Sequence, residues 1–338
     1  VALRILNARL PDGSLVIPSP QMNRPGVNYS VSVPIRFRED QFVVNVDHQI
    51  RANNKLSGKF FFTQNPERVG LNVFFGANVP GFGSSLQNNN RHLALSDLHI
   101  FGPNLTNEVR VGLHRLAADF RPNEPITAAS VGISRFNTSI FPGIPTIGVL
   151  GSFQIGPGPF DQLFTVINTF TSADTVSYIR GRHHLRMGVE VRRIQENGDL
   201  PSFHRGQILF LDFPSFVRGD IFLTVVASGI SDFHYRNTDF NAFLQDDFKV
   251  SSRLTLNLGL RYEFNGAASD KFGRLQTFDP AQYRTGPPPN GFVIAGNARG
   301  RFRVPGVPLG SDTVLKSEDP NNFAPRFGFA YRLSEPHR

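Results

Sequence analysis

Cysteine and tryptophan are both absent from this chain of 338 residues. Without cysteine, disulfide frameworks, thiolate metal sites and cysteine nucleophiles are excluded. No apolar run approaches the roughly 20 residues that a membrane-spanning helix requires, so spanning by helices is excluded as well. Apolar residues spaced at helical intervals are also scarce, which argues against a helix-rich fold.

Phenylalanine, glycine and proline are abundant, at 33, 31 and 25 residues, whereas only 18% of the residues are charged. Together these favour an all-β chain with many turns. The stretch RLTLNLGLRYEF, residues 253–264, shows the pattern most clearly. Its apolar residues alternate with polar residues or glycine. Because successive side chains on a strand point to opposite faces, this stretch is predicted to be an amphipathic strand.

The same alternation recurs in hairpins. Alternating runs meet at short turns near residues 52–54, 102–106, 180–183 and 251–252, and a last run covers residues 325–333. Long Gly-, Pro- and Asn-rich segments lie between the hairpins, near residues 65–90, 118–162, 198–236 and 266–322, and residues 1–38 are similar. Short periplasmic turns that alternate with long extracellular loops are typical of outer-membrane barrels. Loops of this length are uncommon in compact soluble domains.

We therefore predict an all-β fold, an antiparallel up-and-down transmembrane β-barrel segment. About nine strands can be counted, so the barrel is expected to be incomplete, with two open edges. The apolar faces would meet outer-membrane lipid and the polar faces would line a wet lumen. The candidates for lumen-facing residues are the charged residues in the middle of strands: Arg110, Glu190, Arg192, Arg261 and Glu263.

The stretch FLQDDFKVSSRLTLNLGLRYEFNG resembles the barrel signature of TonB-dependent outer-membrane receptors. HHLRMGVEVRR, LTNEVRVGLHR, NNFAPRFGFAYRL and VDHQIRANNKLSGKFFF resemble further strands of the Oar-like branch of that family. The resemblance implies a 22-stranded barrel with a plug domain, driven by TonB and the proton-motive force. Residues 1–338 would be part of such a barrel, with 1–38 an extracellular loop and 39–333 strands and loops. A plug, a TonB box and an N-terminal domain are not found in the sequence, so we expect an internal piece of a longer protein, whose plug domain and TonB complex act through the missing parts.

Sharper chemical sites are not supported by the sequence. His183 and His184 are adjacent, so on a strand they point to opposite faces and cannot share one metal ion. Asp246 and Asp247 diverge in the same way, which argues against a carboxylate pair for acid–base chemistry. The formal charge of +8 is spread without a basic stripe, so nucleic-acid binding is not predicted. We expect no enzyme activity, no catalytic or metal site and no cofactor.

Function is expected to lie in the long loops, because recognition usually lies in loops on a rigid scaffold. The candidates for ligand contact are aromatic and amide side chains: Phe74, Phe75, Phe82, Asn88, Asn89 and Asn90. The predicted function is uptake or recognition of a bulky extracellular ligand, of unknown identity, at the bacterial outer membrane. One alternative is an outer-membrane adhesion or structural protein with surface-contact loops. Another is a soluble repeat-β binding module.

Overall fold

The computed structural model describes residues 1–24, 28–71, 76–135, 139–160, 162–284, 291–314 and 319–333. In chain order the elements are α1 (Ala2–Leu6), β1 (Ile35–Phe37), β2 (Asp40–Arg51), β3 (Asn54–Val69), β4 (Ser84–Gly102), β5 (Leu105–Pro122), β6 (Thr146–Val149), β7 (Phe153–Ile155), β8 (Leu163–Arg180), β9 (His183–Asp199), β10 (Gln207–Phe210), α2 (Phe213–Arg218), β11 (Leu223–Val225), β12 (Asp232–Lys249), β13 (Leu254–Asn265), β14 (Ser269–Asp270), β15 (Gln276–Phe278), β16 (Phe292–Ile294) and β17 (Phe323–Tyr331). Short 3-10 helices lie at Ala129–Val131, Pro280–Gln282 and Gly300–Phe302. Among the residues described, no helix is long and apolar enough to cross a membrane.

Nine long strands form one open antiparallel sheet in the order β2-β3-β4-β5-β8-β9-β12-β13-β17. Each strand pairs with the next along the chain, which confirms the predicted up-and-down arrangement. The short strand β1 pairs with β3 beyond the end of β2, and β14 pairs with β12 beyond the end of β13. Within the described part of the chain, the outer edges of β2 and β17 pair with no further strand.

The four predicted short turns lie side by side at one end of the sheet, which confirms the predicted topology. A backbone hydrogen bond of 2.8 Å joins each turn to the next strand pair: Ile100 N to Asn53 O, Ile179 N to Asn104 O, Lys249 N to Arg182 O and Arg332 N to Arg253 O. We call this end the short-turn end and the opposite one the long-loop end.

The strand pairing is staggered, as a barrel requires. One row of paired residues begins at Asn54, the first residue of β3, and passes through His99, Asn107, Val176, Met187 and Leu244. It reaches Leu260, well inside β13, which begins at Leu254. The row therefore climbs by about one residue per strand relative to the turns, and such a stagger tilts the strands about a barrel axis.

The two faces of the sheet differ as predicted. One face, the apolar face, carries Leu258 and Leu260 of β13 at 40% and 47% exposure and Phe327 of β17 at 70%. The other, the polar face, carries the intervening polar residues. The apolar face is not continuous, however. Three side-chain pairs of polar residues interrupt it toward the short-turn end: Asn54 with Asp97 at 2.8 Å, Asn107 with Asp174, and His183 with Asp246 at 2.7 Å. Each aspartate is partnered by an adjacent strand, which offsets part of the cost of placing it beside apolar side chains.

The long connections contain secondary structure of their own. A four-stranded sheet in the order β11-β10-β6-β7 is built from two different connections, and β15 pairs with β16 in another. The β6–β10 pairing is parallel and joins residues about sixty positions apart. Residues 1–38 begin with α1 and end with β1 beside β3, so they too contribute elements to the long-loop end.

Candidate functional site: a polar sheet face and a folded loop assembly

The five residues predicted to face the lumen share the polar face. Arg110, Glu190 and Glu263 belong to one row of paired residues, which runs from Arg110 through Ala173, Glu190 and Asn241 to Glu263. Arg192 and Arg261 are two residues along their own strands from Glu190 and Glu263, so they project from the same face. That this face lines a lumen stays a prediction.

Three arginines of the polar face pair with glutamates on the same strand. Arg192 Nη2 lies 2.9 Å from Glu190 Oε1, and Arg261 Nε lies 2.5 Å from Glu263 Oε1. Arg110 lies 4.0 Å from Glu108. Each pair joins residues two apart, which point to the same face of a strand. On these three strands the polar face therefore presents opposite charges side by side, and Arg186 and Arg326 add further positive charge to it.

Two recesses cover much of the polar face. One, of about 490 Å³, extends from Arg110 on β5 to Arg326 on β17 and includes Glu190 and Arg261. The other, of about 670 Å³, extends toward β2 and contains His92 and His114, whose rings are 6.0 Å apart. The polar face is thus one hollowed surface that crosses most of the sheet. Across the described ranges, no three or more His, Asp or Glu side chains are arranged to hold a metal ion.

His183 and His184 point to opposite faces, as the sequence predicts. His183 is paired with Phe248 on the apolar face, where the two rings stack at 4.3 Å. His184 is paired with Asp247 on the polar face. Asp246 and Asp247 are separated in the same way, and Asp246 bonds to His183.

One close approach on the polar face involves glycine. Gly188 of β9 is paired with Phe243 of β12, whose ring lies over it. A Cβ atom at Gly188 would lie 2.6 Å from Cε1 of that ring and 2.8 Å from the carbonyl oxygen of Asp174. An aromatic ring that covers a strand glycine restores packing that the missing side chain would otherwise lose.

Three of the long connections and the N-terminal segment share one hydrophobic core, which we call the loop assembly. It combines α1, the connections on either side of β4 and β5, and the segment around α2; its buried members are Ile5, Val16, Ala77, Val79, Phe82, Ile126, Val131, Ile144, Ile147, Val149, Phe153, Ile155, Phe210 and Phe216. The rings of Phe153 and Phe210 both meet Phe216 edge-on at 5.4 Å. Four segments that are distant in sequence, the N-terminal one and three connections, are therefore held as one body.

A buried ion pair fixes the loop assembly above the sheet. Arg205, with 8% of its side chain exposed, donates from Nε to Glu124 Oε1 at 2.6 Å and from Nη2 to Gln162 at 2.8 Å. Its guanidinium lies 4.8 Å from the ring centroid of Phe141. Arg135 donates to the carbonyl oxygens of Phe141 and Gly143, each at 2.6 Å. Burial, with the nearby charge of Arg205, lowers the pKa of Arg135.

The residues predicted to contact ligand do not form one exposed loop patch. Phe82 is in the core of the loop assembly with 0% exposure. Asn88, Asn89 and Asn90 lie in β4, paired with Asn65, Gln64 and Thr63 of β3, so the prediction that they belong to a loop is wrong. β4 continues beyond the apolar band, and the run of asparagines there pairs with β3 as the other residues of the strand do. Phe74 and Phe75 lie outside the described residues.

A basic recess of about 650 Å³ lies in the long connection between β13 and β17, and the sequence does not predict it. It is lined by Lys271, Arg274, Arg299 and Arg301 with the rings of Phe272 and Phe302. Arg274 is held by Asp270 at 2.9 Å and Asp232 at 3.0 Å, whereas Arg301 lies over Phe302 at 5.2 Å. Its basic residues come from two separate stretches of one long connection, so no continuous basic run in the sequence predicts the recess.

Comparison with known proteins agrees with this architecture. The family described as "Outer membrane beta barrel domain" matches residues 1–337. The chain belongs to this family. It is therefore a β-barrel chain of the bacterial outer membrane, as the sequence predicts. No curated protein sequence matches it.

Three solved structures are similar to this outer-membrane barrel chain. They are FpvA of P. aeruginosa bound to heterologous pyoverdines (11% identity, TM-score 0.49, 89% of this chain and 34% of that one), the outer membrane transporter YddB from Escherichia coli (10%, 0.45, 79% and 31%) and the ferric-catecholate import receptor Fiu from K12 E. coli (11%, 0.42, 89% and 42%). The chain thus spans about a third of the length of the first of these proteins.

Proposed function

We propose that this chain is part of a TonB-dependent receptor barrel, of the Oar-like kind, that takes up or recognises a bulky extracellular ligand. The observation that carries the proposal is the loop assembly, one folded body at the long-loop end of a sheet with a hollowed polar face. In outer-membrane barrels the long loops are extracellular. A preformed outer surface above a polar interior suits capture of a ligand followed by its passage through the barrel. The proposed role of the chain is binding rather than catalysis. A plug domain and the TonB complex would act through parts beyond this chain.

The basic recess is the contact surface that we propose for the ligand, in place of the residues predicted from the sequence. Lys271, Arg299 and Arg301 bring cations beside two phenylalanine rings. Guanidinium groups recognise carboxylate or phosphate, and aromatic faces add stacking area. The ligand class that fits is an anionic solute with a flat or apolar part.

The test measures which solutes cells remove from a defined mixture of ferric siderophores, oligosaccharides and acidic oligopeptides. Cells carry the full-length protein, a variant with Arg299→Gln and Arg301→Gln, or a control with Arg218→Gln, an exposed arginine that pairs with Asp220 at 2.7 Å in another connection. We expect one anionic component to be depleted, a protonophore to stop the depletion, and the double variant alone to lose it. Depletion that ignores the protonophore, or no depletion at all, would contradict uptake.

A second candidate, surface adhesion, is favoured by a different feature. Apolar side chains around α2 are exposed on the loop assembly: Leu211 at 54%, Phe213 at 43%, Ile221 at 54% and Phe222 at 60%. Contiguous exposed apolar patches often mark binding sites for macromolecules. Cells with Ile221→Asp and Phe222→Asp would then lose attachment to surfaces while solute depletion stays normal.

A further inference from the structure

The apolar face ends, toward the long loops, at three arginines. Arg91 of β4, Arg115 of β5 and Arg193 of β9 are the first arginine or lysine on that face of each strand, counted from its short turn. Leu93, Leu113 and Val191 lie directly below them on the same face. We call these three residues the arginine row.

The arginine row lies at one height. Each member is eleven or twelve residues along its strand from the turn at residues 103–104 or 181–182. With a rise of about 3.3 Å per residue and a tilt of about 40°, the row is about 30 Å above the turns. The apolar band of such barrels is about 25 Å tall, so the row lies at its outer margin, where lipid headgroups begin.

The arginine row is not neutralised by the protein. On the polar face Arg110, Arg192 and Arg261 each have a glutamate within 4.0 Å. Among the described residues, no carboxylate lies that close to Arg91, Arg115 or Arg193.

Instead, neutral groups position the three guanidinium groups. Arg91 lies 5.8 Å from the ring centroid of Phe62, Arg115 donates to Asn168 Oδ1 at 2.8 Å, and Arg193 donates to Thr238 Oγ1 at 2.6 Å. These contacts leave further N–H donors on each guanidinium for an anion.

We propose that the arginine row binds the phosphate groups of phosphorylated glycolipid in the outer leaflet. The occupant must place acyl chains against Leu93, Leu113 and Val191 and an anion at the level of the guanidinium groups, and only an anionic amphiphile does both. Guanidinium pairs with phosphate through two parallel hydrogen bonds, and this pairing strengthens where water is scarce. The inference rests on the outer-membrane barrel and not on ligand uptake.

The charge on the rest of the apolar face fits the same leaflet. Asp97, Asp174 and Asp246 lie on that face nearer the short turns. Carboxylates there would repel an anionic headgroup. On β4, β5 and β9 the face therefore carries its arginines only at or beyond its outer margin, where the outer leaflet meets it, whereas Arg180 of β8 lies on the same face beside the short turns.

The test is native mass spectrometry of the purified full-length protein in detergent with added diphosphoryl lipid A. The variant carries Arg91→Gln, Arg115→Gln and Arg193→Gln. The control carries Arg38→Gln, Arg121→Gln and Arg218→Gln, which remove as many charges from exposed arginines that already pair with Asp40, Asp119 and Asp220. We expect binding about tenfold weaker in the variant and unchanged in the control.

Further arms separate a lipid site from a free phosphate site. Dephosphorylated lipid A should bind the wild type as weakly as diphosphoryl lipid A binds the variant, and millimolar inorganic phosphate should not compete. If the triple variant does not fold, as judged by heat-modifiable mobility, the three single Arg→Gln variants are measured, and each should weaken binding two- to threefold. Equal binding by wild type and variants, or competition by inorganic phosphate alone, would overturn the proposal.

Discussion

The sheet and the loop assembly differ in how far their apolar side chains are exposed. In the loop assembly Phe82 and Ile155 are 0% exposed, whereas on the apolar face of the sheet Val46 is 60% and Phe327 70% exposed. The loop assembly can thus gain stability from the removal of apolar surface from water. The sheet gains its order from backbone hydrogen bonds between strands and needs lipid to cover its apolar face. The stability of the loop assembly therefore depends on burial from water, whereas that of the sheet depends on lipid.

The largest effect is expected where the loop assembly is most densely packed. Phe82→Ala removes a fully buried ring from its core. Such truncations cost about 3–5 kcal/mol, and the cost should fall on the loop assembly alone. Hydrogen exchange should show lost protection in residues 144–155 and 207–216, while the strands stay protected. Loss of protection throughout the sheet would show that the two bodies do not unfold separately.

The next prediction concerns which face of the sheet contacts lipid. Leu258→Arg places a charge on the apolar face and should cost about 2–4 kcal/mol near the bilayer midplane. Asn257→Arg, its neighbour on the polar face, should cost far less. Denaturation of the full-length protein in lipid vesicles measures both. Equal costs would mean that the two faces have been assigned to the wrong environments.

Within the polar face, packing distinguishes two glycines. Gly188→Ala would crowd the ring of Phe243 and the carbonyl of Asp174, at 2.6 and 2.8 Å, and should cost about 1–3 kcal/mol. Gly112→Ala, in mid-strand on the same face, meets nothing nearer than 3.7 Å and is the matched control. The same vesicle denaturation compares them. A tolerated Gly188→Ala would show that Phe243 moves aside freely.

The strands could be predicted from sequence because lipid on one side and polar groups on the other impose a strict period of two. RLTLNLGLRYEF shows that period over the whole of β13. The loop assembly could not be predicted in this way. All four residues of β6 are buried, so no alternation marks it, and its parallel partner β10 is distant in sequence.

Some candidate ligand-contact residues lie outside exposed loops for related reasons. Phe82 lies beside glycines in the sequence, which predicts an exposed loop residue, yet it packs in a core formed by distant segments. Residues 88–90 pair with β3 beyond the level of the apolar band. Polar and apolar residues no longer alternate there, so the sequence does not indicate a strand. The arginines of the arginine row alternate like any strand residues, so only the registers show their common height.

The smallest predicted effect is a loss of stability around α2 at low pH. Asp212 caps the N-terminus of α2, where its Oδ1 accepts from the Ser215 N–H at 2.7 Å. Hydrogen bonds from Ser215 hold the pKa of Asp212 below its ordinary value of 3.8. A carboxyl with a lowered pKa stabilises the fold above its unfolded value, and that contribution is lost as the pH falls through the folded value. Protection of residues 213–218 from hydrogen exchange should therefore decline below about pH 4. Asp212→Asn keeps an acceptor at the cap but cannot titrate, so its protection should not depend on pH in that range. A decline that is the same in both proteins would assign the acid response to another carboxylate.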